Sequence, residues 1–220
     1  MDVQLLTSLV QGKPAAVDRD GKLLRKGQLT RNAVLEQAFN DATRNGLNTL
    51  RFNTLAEQLH MSKTGVFAAF GSMLALKLAV LQLYRERFEH SVLFHSYLSP
   101  AGLPRLTSLF RYWTKHISSR HGARCFYIRG SYEYDDQPGP VKDRIVQDIL
   151  AWRQTLEDYV LEAVEAGHLR PDTDVKQFVH ELYALILILD HDLRLTDDRA
   201  CIERTQQAFD RLTTAHCSSN

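Results

Sequence analysis

Apolar residues recur every three or four positions along most of the chain, which is the spacing of one face of an α-helix. The first such stretch carries four apolar positions: Leu35, Ala38, Phe39 and Ala42. Thr30 precedes this stretch as a candidate N-cap, and Gly46 follows it as a candidate helix end. We therefore predict a first helix between Thr30 and Gly46.

Two short amphipathic stretches follow, over residues 52–59 and 63–70, and a break at residues 60–62 separates them. Ser62 is the predicted N-cap of the second stretch. The predicted inward face of that stretch is Val66, Ala69 and Phe70. Two short helices joined by a tight turn behind a supporting helix are the arrangement of a helix-turn-helix.

Six further stretches with helical spacing fill the rest of the chain, at about residues 72–95, 104–120, 123–133, 141–167, 175–189 and from 197 onward. No segment alternates apolar and polar residues as a half-buried strand does. The pattern predicts an all-α protein with three parts. These are a flexible N-terminal arm at residues 1–29, a helix-turn-helix domain at residues 30–76 and a helical C-terminal domain at residues 77–217.

The composition is that of a folded globular protein, so any affinity for nucleic acid has to come from local charge. Of the 220 residues, 44% are hydrophobic and 24% are charged, and the formal net charge is only +1. Basic residues cluster in the arm and just after it: Arg19, Lys22, Arg25, Lys26 and Arg31. This cluster is suited to contact with DNA phosphates or the minor groove, and it is equally compatible with a solvated tail.

Several positions at fixed spacing resemble the DNA-binding motif of the tetracycline-repressor (TetR) family of bacterial regulators. They are Leu55-Ala56 in the second helix, Met61-Ser62-Lys63 across the turn, and Phe67 to Phe70 in the third helix. The resemblance spans about residues 30–76 and includes Gly46 and Phe52. A weaker resemblance to the ligand-binding and dimerisation region of one TetR branch covers the C-terminal segments Arg124-Cys125-Phe126, Glu133 to Asp136, Pro138 to Val141 and Ala166 to Leu169.

The resemblance implies a one-component transcription regulator, usually a repressor, that leaves a palindromic operator when a small molecule binds the C-terminal domain. A helix-turn-helix inserts its second helix into the major groove, where the first exposed residues meet base edges. The residues that the motif assigns to DNA contact are Arg31, Arg51, Thr54, Ser62, Lys63, Thr64, Gly65, Phe67 and Ala68.

This chain departs from the family pattern at four positions. Phe67 stands where relatives usually carry a phosphate-binding tyrosine, and Met73 stands where they usually carry a lysine that opens the fourth helix. Arg51 replaces the usual Ser or Thr, and together with the basic arm it can offset those two losses. His60 replaces the usual turn glycine, and we expect it to adopt a left-handed backbone conformation.

Aromatic and polar residues on the central helices are candidates for a ligand pocket, because such pockets combine apolar walls with a few polar anchors. Ordinary core packing is the alternative for each of them. The candidates are Phe110, Trp113, His116, Phe126, Tyr127, Arg129, Tyr132, Glu133 and Trp152.

The last two helices are predicted to form a homodimer. Residues 184–189 are apolar nearly all round, and an exposed surface of that kind needs a partner. A second copy of the chain would complete a four-helix interface and place two recognition helices about 34 Å apart. The candidate interface residues are Phe178, Leu182, Leu185, Ile186, Leu189, Phe209 and Leu212.

No pattern indicates catalysis, a metal or a cofactor. Common nucleophile, phosphate-binding and zinc motifs are absent, and the Asp135-Asp136 pair reads as a solvated turn. Two histidine pairs are weak metal candidates, because neither spacing puts both rings on one helical face: His116 with His121, and His180 with His191.

The chain is expected to be a cytoplasmic, non-enzymatic protein without a membrane partner. Its three widely spaced cysteines form no C-x-x-C pair, and its longest apolar run is far shorter than the roughly 20 residues of a bilayer span. Two alternatives remain open at this point. One is a DNA-binding protein without a small-molecule effector, and the other is a helical enzyme or carrier that has lost DNA binding.

Overall fold

The computed structural model of the chain describes residues 26–119 and 125–218. Within these two ranges it has no extended strand, only one isolated bridge between Leu169 and Cys217, so the all-α prediction is confirmed. The helices are α1 (Lys26–Asn45), α2 (Phe52–Gln58), α3 (Lys63–Phe70), α4 (Met73–Phe88), α5 (Phe94–Tyr97), α6 (Leu103–Ser118), α7 (Phe126–Tyr134), α8 (Pro140–Glu165), α9 (Val175–His191) and α10 (Cys201–His216).

The first three helices form the predicted helix-turn-helix unit, in which α1 packs against both α2 and α3. Gly46 ends α1 with a φ of 102°, a backbone conformation that a Cβ atom would strain. His60 lies in the turn between α2 and α3 with a φ of 53°, so the expected left-handed residue is present. Ser62 caps α3 as predicted, because its hydroxyl accepts a hydrogen bond from the backbone N–H of Gly65.

Helix α1 begins at Lys26, so the prediction that Thr30 caps it is wrong. A threonine can cap a helix only where the chain leaves the helical conformation, and here the four preceding residues continue the helix. Gly27 lies in that extension, and a single glycine costs only about 1 kcal/mol in a helix. The remainder of the predicted basic arm, residues 1–25, lies outside the described residues.

Helix α4 connects the two halves of the molecule. It packs against α1 and α3 on one side and against α8 on the other, so the predicted boundary at residue 76 falls inside a continuous helix. Ser72 caps its beginning through the backbone N–H of Ala75. At its end a π-helical turn, Glu89–Leu93, leads directly into α5.

The C-terminal half is a bundle in which α6, α8 and α9 pack against one another, while α7 lies along α8 and α10 lies along α9. Glycines start two of these helices. Gly102 precedes α6 and Gly139 precedes α8, both with positive φ, and proline follows within the first turn of each helix. The bundle buries most of the large apolar side chains of the sequence in a single continuous core with the N-terminal unit.

Six of the seven residues predicted at the dimer interface are buried inside their own chain. They are Phe178, Leu182, Ile186, Leu189, Phe209 and Leu212, and none of them is more than 9% exposed. Within the apolar run of α9, Ile186 and Leu189 therefore face the bundle, because α6, α8 and α10 all pack against that helix. A dimer built from these two helices would have to use their outward faces. The seventh residue, Leu185, is partly buried and packs against the same core.

Candidate DNA-binding surface and ligand pocket

Helix α3 has one buried and one exposed face. Val66 and Phe70 are buried against the core, whereas Lys63, Thr64 and Ala68 are exposed. All three exposed residues lie in the first six residues of the helix, where a recognition helix meets base edges. The predicted division of this helix into an inner and an outer face agrees with the structure.

Phe67 lies at the border of that surface. Its side chain is 51% exposed, and its ring packs edge-on against Phe52 at the start of α2, with 5.6 Å between ring centroids. The contact holds the ring against the domain while leaving its outer edge in solvent. A hydroxyl group on that ring would therefore add a polar atom to the surface without disturbing the core.

Arg31 and Arg51, both predicted to contact DNA, hold the backbone of the helix-turn-helix unit. Arg31 donates to the carbonyl of Ala69 and lies over the ring of Phe70, 3.9 Å from its centroid. Arg51 donates to the carbonyls of Asn48 at 2.6 Å and Leu50 at 2.8 Å. Each guanidinium is still exposed at the surface, but part of its hydrogen-bonding capacity is already used. Thr54 is exposed on α2.

A cluster of aromatic rings occupies the interior of the C-terminal half. We call it the aromatic cluster. The ring of Phe88 lies 4.8 Å from that of Trp152 and 5.1 Å from that of Tyr127, and the two tryptophan rings, Trp113 and Trp152, are 4.9 Å apart. Neither indole N–H has a hydrogen-bond partner, although both side chains are almost fully buried. Buried donors without acceptors are uncommon in folded proteins.

Two titratable groups border the aromatic cluster. His116 bonds to the hydroxyls of Tyr84 and Ser91, and burial, together with the positive charge of Arg194, lowers its pKa to about 4. Asp148 is 1% exposed and accepts from Arg144 at 2.9 Å. Burial raises the pKa of Asp148, and the hydrogen bond from Arg144 and the charges of Arg144 and Arg85 oppose that change.

Three of the predicted pocket residues lie elsewhere. Arg129 donates to the carbonyls of Arg44 and Asn45 at the end of α1, and Glu133 accepts from two backbone N–H groups in the turn between α1 and α2. Tyr132 is 72% exposed. Helix α7 therefore presents Arg129 and Glu133 to the DNA-binding half, because only one side of this nine-residue helix faces the bundle.

We call this contact the α7 latch, which consists of Arg129, Glu133, Tyr134 and Gln137 together with Lys77 of α4. Lys77 donates to the side chains of Asn48 and Tyr134, and Gln137 accepts from Asn48. Burial lowers the pKa of Lys77, although the negative charge of Glu133 opposes that change. The latch joins the DNA-binding half to the C-terminal half through polar contacts.

Two other predicted pocket residues lie outside the aromatic cluster or at its edge. Phe110 is fully buried and stacks on Phe209 of α10, with 4.1 Å between centroids, so it joins two helices away from the aromatic cluster. Phe126 is fully buried between Phe39 and Tyr84. Tyr84 and Phe88 were not among the predicted pocket residues, although both lie at the centre of the cluster. Their apolar spacing on α4 was the only available signal.

Comparison with known proteins agrees with this arrangement. A family profile described as the tetracyclin repressor-like C-terminal domain matches residues 102–209. This part of the chain therefore belongs to the TetR-like C-terminal domain family. No curated protein matches it in sequence.

Solved structures of TetR-family regulators share the fold. A regulator from Cytophaga hutchinsonii superposes with a TM-score of 0.79 at 18% identity, covering 90% of this chain and 100% of the other. One from Chloroflexus aurantiacus gives 0.77 at 20% identity, covering 87% and 96%. AibR, solved in complex with isovaleryl coenzyme A and operator DNA, gives 0.67 at 18% identity, covering 87% and 100%. At these identities the similarity establishes the fold.

The departures from the TetR DNA-binding motif have clear positions in the structure. Met73 is the first residue of α4 and packs against the core, so it is only partly exposed. Lys77, one turn later, is the α4 lysine of the latch and points its amine at Asn48 and Tyr134. Phe67 remains exposed where relatives usually carry tyrosine.

No other site is evident in the described ranges. No three potential metal-ligating side chains come together there, and Cys125, Cys201 and Cys217 are all free. His121 lies outside the described residues. No single helix in these ranges is long and apolar enough to cross a membrane. One pair of helices has the necessary length and composition, α3 and the segment Met73–Tyr97, but the pair is bent by 65°.

Proposed function

We propose that this chain is a repressor that binds a palindromic operator as a homodimer and leaves it when a small molecule occupies the C-terminal half. The observation that carries the proposal is the two-faced α3. Val66 and Phe70 fix the helix against α1, and the opposite face presents Lys63 and Thr64 to solvent at the beginning of the helix.

The exposed residues of α3 supply a range of base contacts. The amine of Lys63 can donate to the acceptors of guanine or to a phosphate, and Thr64 can donate or contact a thymine methyl group. Gly65 has only the Ser62 hydroxyl and the end of Met61 near its missing Cβ atom, so the backbone can come close to DNA there. These are the roles that we assign to the three residues.

The homodimer is proposed to form through the outer faces of α9 and α10. Ile188 is 49% exposed in α9, and Leu195, in the π-helical turn after it, is 74% exposed. Ala184 lies one turn before Ile188 and is also exposed. A two-fold interface that covers this apolar strip would place the two recognition helices on one side of the dimer, which requires an operator with matching half-sites.

Release is proposed to pass through the α7 latch. Helix α7 carries Tyr127 of the aromatic cluster near its beginning and Glu133 of the latch near its end. A molecule that displaces Tyr127 would therefore move the residue that holds the turn before α2. The AibR structure contains both a coenzyme A ester and operator DNA. That pairing supports the same division between an effector site and a DNA site here.

A DNA-binding protein without an effector is the second candidate. One observation favours it: the cavity beside the aromatic cluster has a volume of only about 50 Å³. Ligand pockets usually measure about 300–1,000 Å³. A small-molecule effector therefore requires this region to open, and a chain that could not open it would bind DNA constitutively.

The function is tested by fluorescence anisotropy with labelled DNA from beside the protein's own gene. Lys63→Ala should weaken binding roughly tenfold, because one base or phosphate contact is lost. Lys115→Ala, which removes an exposed lysine from α6, is the matched control and should change little. Equal affinity and equal salt dependence for the wild-type and Lys63→Ala proteins would show that α3 does not enter the groove.

A further inference from the structure

The π-helical turn after α4 separates two spaces. One is an open groove of about 950 Å³ between α1 and the α4–α5 rod, which we call the outer groove; Glu36, His90, Phe94 and Tyr97 are among its walls. The other is the cavity beside the aromatic cluster, which we call the inner cavity. Two residues of the turn, Glu89 and Leu93, line both spaces. Only their side chains and the local backbone need to move for the spaces to become one.

The wall between the two spaces is suited to movement. A π-helical turn replaces i→i+4 hydrogen bonds with wider i→i+5 bonds, and such turns occur frequently at functional sites. Glu89 is held chiefly by its ion pair with Arg85, at 2.7 Å, and both side chains are more than one-third exposed. Exposed ion pairs of this kind contribute little to stability. Opening the wall therefore breaks few strong interactions.

The size of the combined space matches a small molecule. The inner cavity alone, at about 50 Å³, has room for only one or two water molecules. The outer groove is large but open to solvent on one side, so by itself it would bury only part of a ligand. Joined through the π-helical turn, the two would hold an elongated molecule with one end buried and the other end in the groove.

The lining residues indicate which chemistry the site would accept. The inner end offers the aromatic rings of Phe88, Tyr127 and Trp152, which favour flat apolar groups. Trp152 is 4% exposed and its indole N–H has no acceptor, so an oxygen or nitrogen acceptor on the ligand would satisfy it. The ligand is therefore expected to carry an acceptor at its buried end.

The charged side chains along the site already form ion pairs with one another. Glu36 pairs with Arg87 at 2.5 Å, Glu89 pairs with Arg85, and Asp148 lies between Arg85 and Arg144. A charged ligand would have to compete with these pairs for a counter-charge. An uncharged ligand avoids that competition.

We propose that the outer groove and the inner cavity are two halves of one binding site for an elongated, uncharged aromatic molecule with a hydrogen-bond acceptor, and that the Glu89–Leu93 turn is the wall this molecule displaces. The inference rests on the proposed function, because this molecule would be the effector. It also couples the site to DNA binding. Glu36 belongs to α1 and lines the outer groove, so a bound molecule would press on the Glu36–Arg87 contact between the DNA-binding half and α4.

Nile red is a suitable probe because it is flat, uncharged and carries a carbonyl acceptor, and its emission reports an apolar site. N-phenyl-1-naphthylamine is the comparison probe, because it is also uncharged and aromatic but has no carbonyl. Full-length protein should bind one Nile red per chain. Trp152→Phe keeps a ring and removes the N–H donor, so it should weaken Nile red binding three- to tenfold and leave the comparison probe nearly unchanged.

The wall is tested by two substitutions of opposite effect at Leu93. Leu93→Trp should slow Nile red association at least fivefold, and Leu93→Ala should accelerate it. Leu98→Trp is the matched control, because Leu98 is 74% exposed and lines neither space. Thermal unfolding of each variant shows that it is folded.

The outcomes separate this inference from the proposed function. Absence of stoichiometric Nile red binding, equal loss of both probes in Trp152→Phe, or association rates that do not respond to Leu93 would each overturn the proposed site, even if the wild-type protein binds its operator. Loss of operator binding by the wild-type protein would instead overturn the proposed function, whatever the probe does.

Discussion

Helix α3 and the aromatic cluster differ in whether their polar groups have solvent or hydrogen-bond partners. On α3 the polar side chains are in water, the backbone start is capped by Ser62, and the buried residues are purely apolar. In the aromatic cluster two indole donors are buried without acceptors, whereas Asp148 beside it is paired with Arg144 and Arg85. The polar side chains of α3 are already solvated, and they are placed where a partner in solution can contact them. The aromatic cluster is internally unsatisfied, which is the condition expected of a site that a ligand or a conformational change completes.

The largest expected effect tests which face of α9 belongs to the core. Ile186 is fully buried, so Ile186→Glu would place a charge in the bundle and should unfold the protein, at a cost of several kcal/mol. Ile188→Glu, two residues later, should leave the fold intact and give monomers, because Ile188 is 49% exposed. Thermal unfolding and analytical ultracentrifugation measure the two effects. A folded dimer of Ile188→Glu would refute the proposed interface, and a folded Ile186→Glu protein would contradict the burial of this face.

The next effect concerns His116 beside the aromatic cluster. Its pKa falls from 6.5 to about 4 because the folded protein disfavours the charged ring. The unfolded chain therefore binds the proton more readily, and stability should be lost as the pH falls from about 6.5 towards 4. By pH 5 this loss should be on the order of 2 kcal/mol.

Urea unfolding at pH 7 and pH 5 measures the pH dependence of the stability. His116→Gln should show a smaller difference between the two pH values than the wild-type protein. His90→Gln, at an exposed position of the π-helical turn, is the control. If the wild-type and His116→Gln proteins lost equal stability, His116 would have to be accessible to protons in the folded state.

The contrast between the two regions also explains what the sequence could predict. The helix-turn-helix depends on neighbours within about ten residues, so periodicity and the cap at Ser62 located α3 and its two faces. The surroundings of Glu133 depend on a turn more than eighty residues earlier in the chain, and no local pattern carries that information. The same reason accounts for the dimer residues, because periodicity shows that α9 is apolar but not which neighbour covers each side.

A smaller effect is expected at the α7 latch. Glu133 accepts from the N–H groups of Leu47 and Asn48, and a Cβ atom at Gly46 would lie only 2.8 Å from its carboxylate. Glu133→Gln removes the charge from these bonds and should cost about 1–2 kcal/mol of local stability, because charge-assisted bonds are the stronger kind. Hydrogen exchange at these two amides should become roughly tenfold faster.

The control for the latch is Glu165→Gln, at an exposed position near the end of α8, which should leave exchange at Leu47 and Asn48 unchanged. The global unfolding free energy of Glu133→Gln should fall less than the local value, because the core is untouched. Exchange rates identical to the wild type would mean that the turn before α2 is held without α7. The proposed route of release would then have to be abandoned.

The smallest effect concerns the surface of α3 itself. Phe67→Tyr adds a hydroxyl at the 51%-exposed edge of a ring that already rests on Phe52, so the fold should be unaffected. Within reach of a phosphate, the hydroxyl should tighten operator binding two- to tenfold, which corresponds to one additional hydrogen bond. Because the added group is uncharged, the dependence of log K on log salt should keep its slope. Phe67→Leu, which keeps an apolar side chain without the ring, separates the two roles of this position. If Tyr weakened binding and Leu weakened it further, Phe67 would contact bases directly, through an apolar surface such as a thymine methyl group, and this chain would have exchanged a backbone contact for a sequence-specific one.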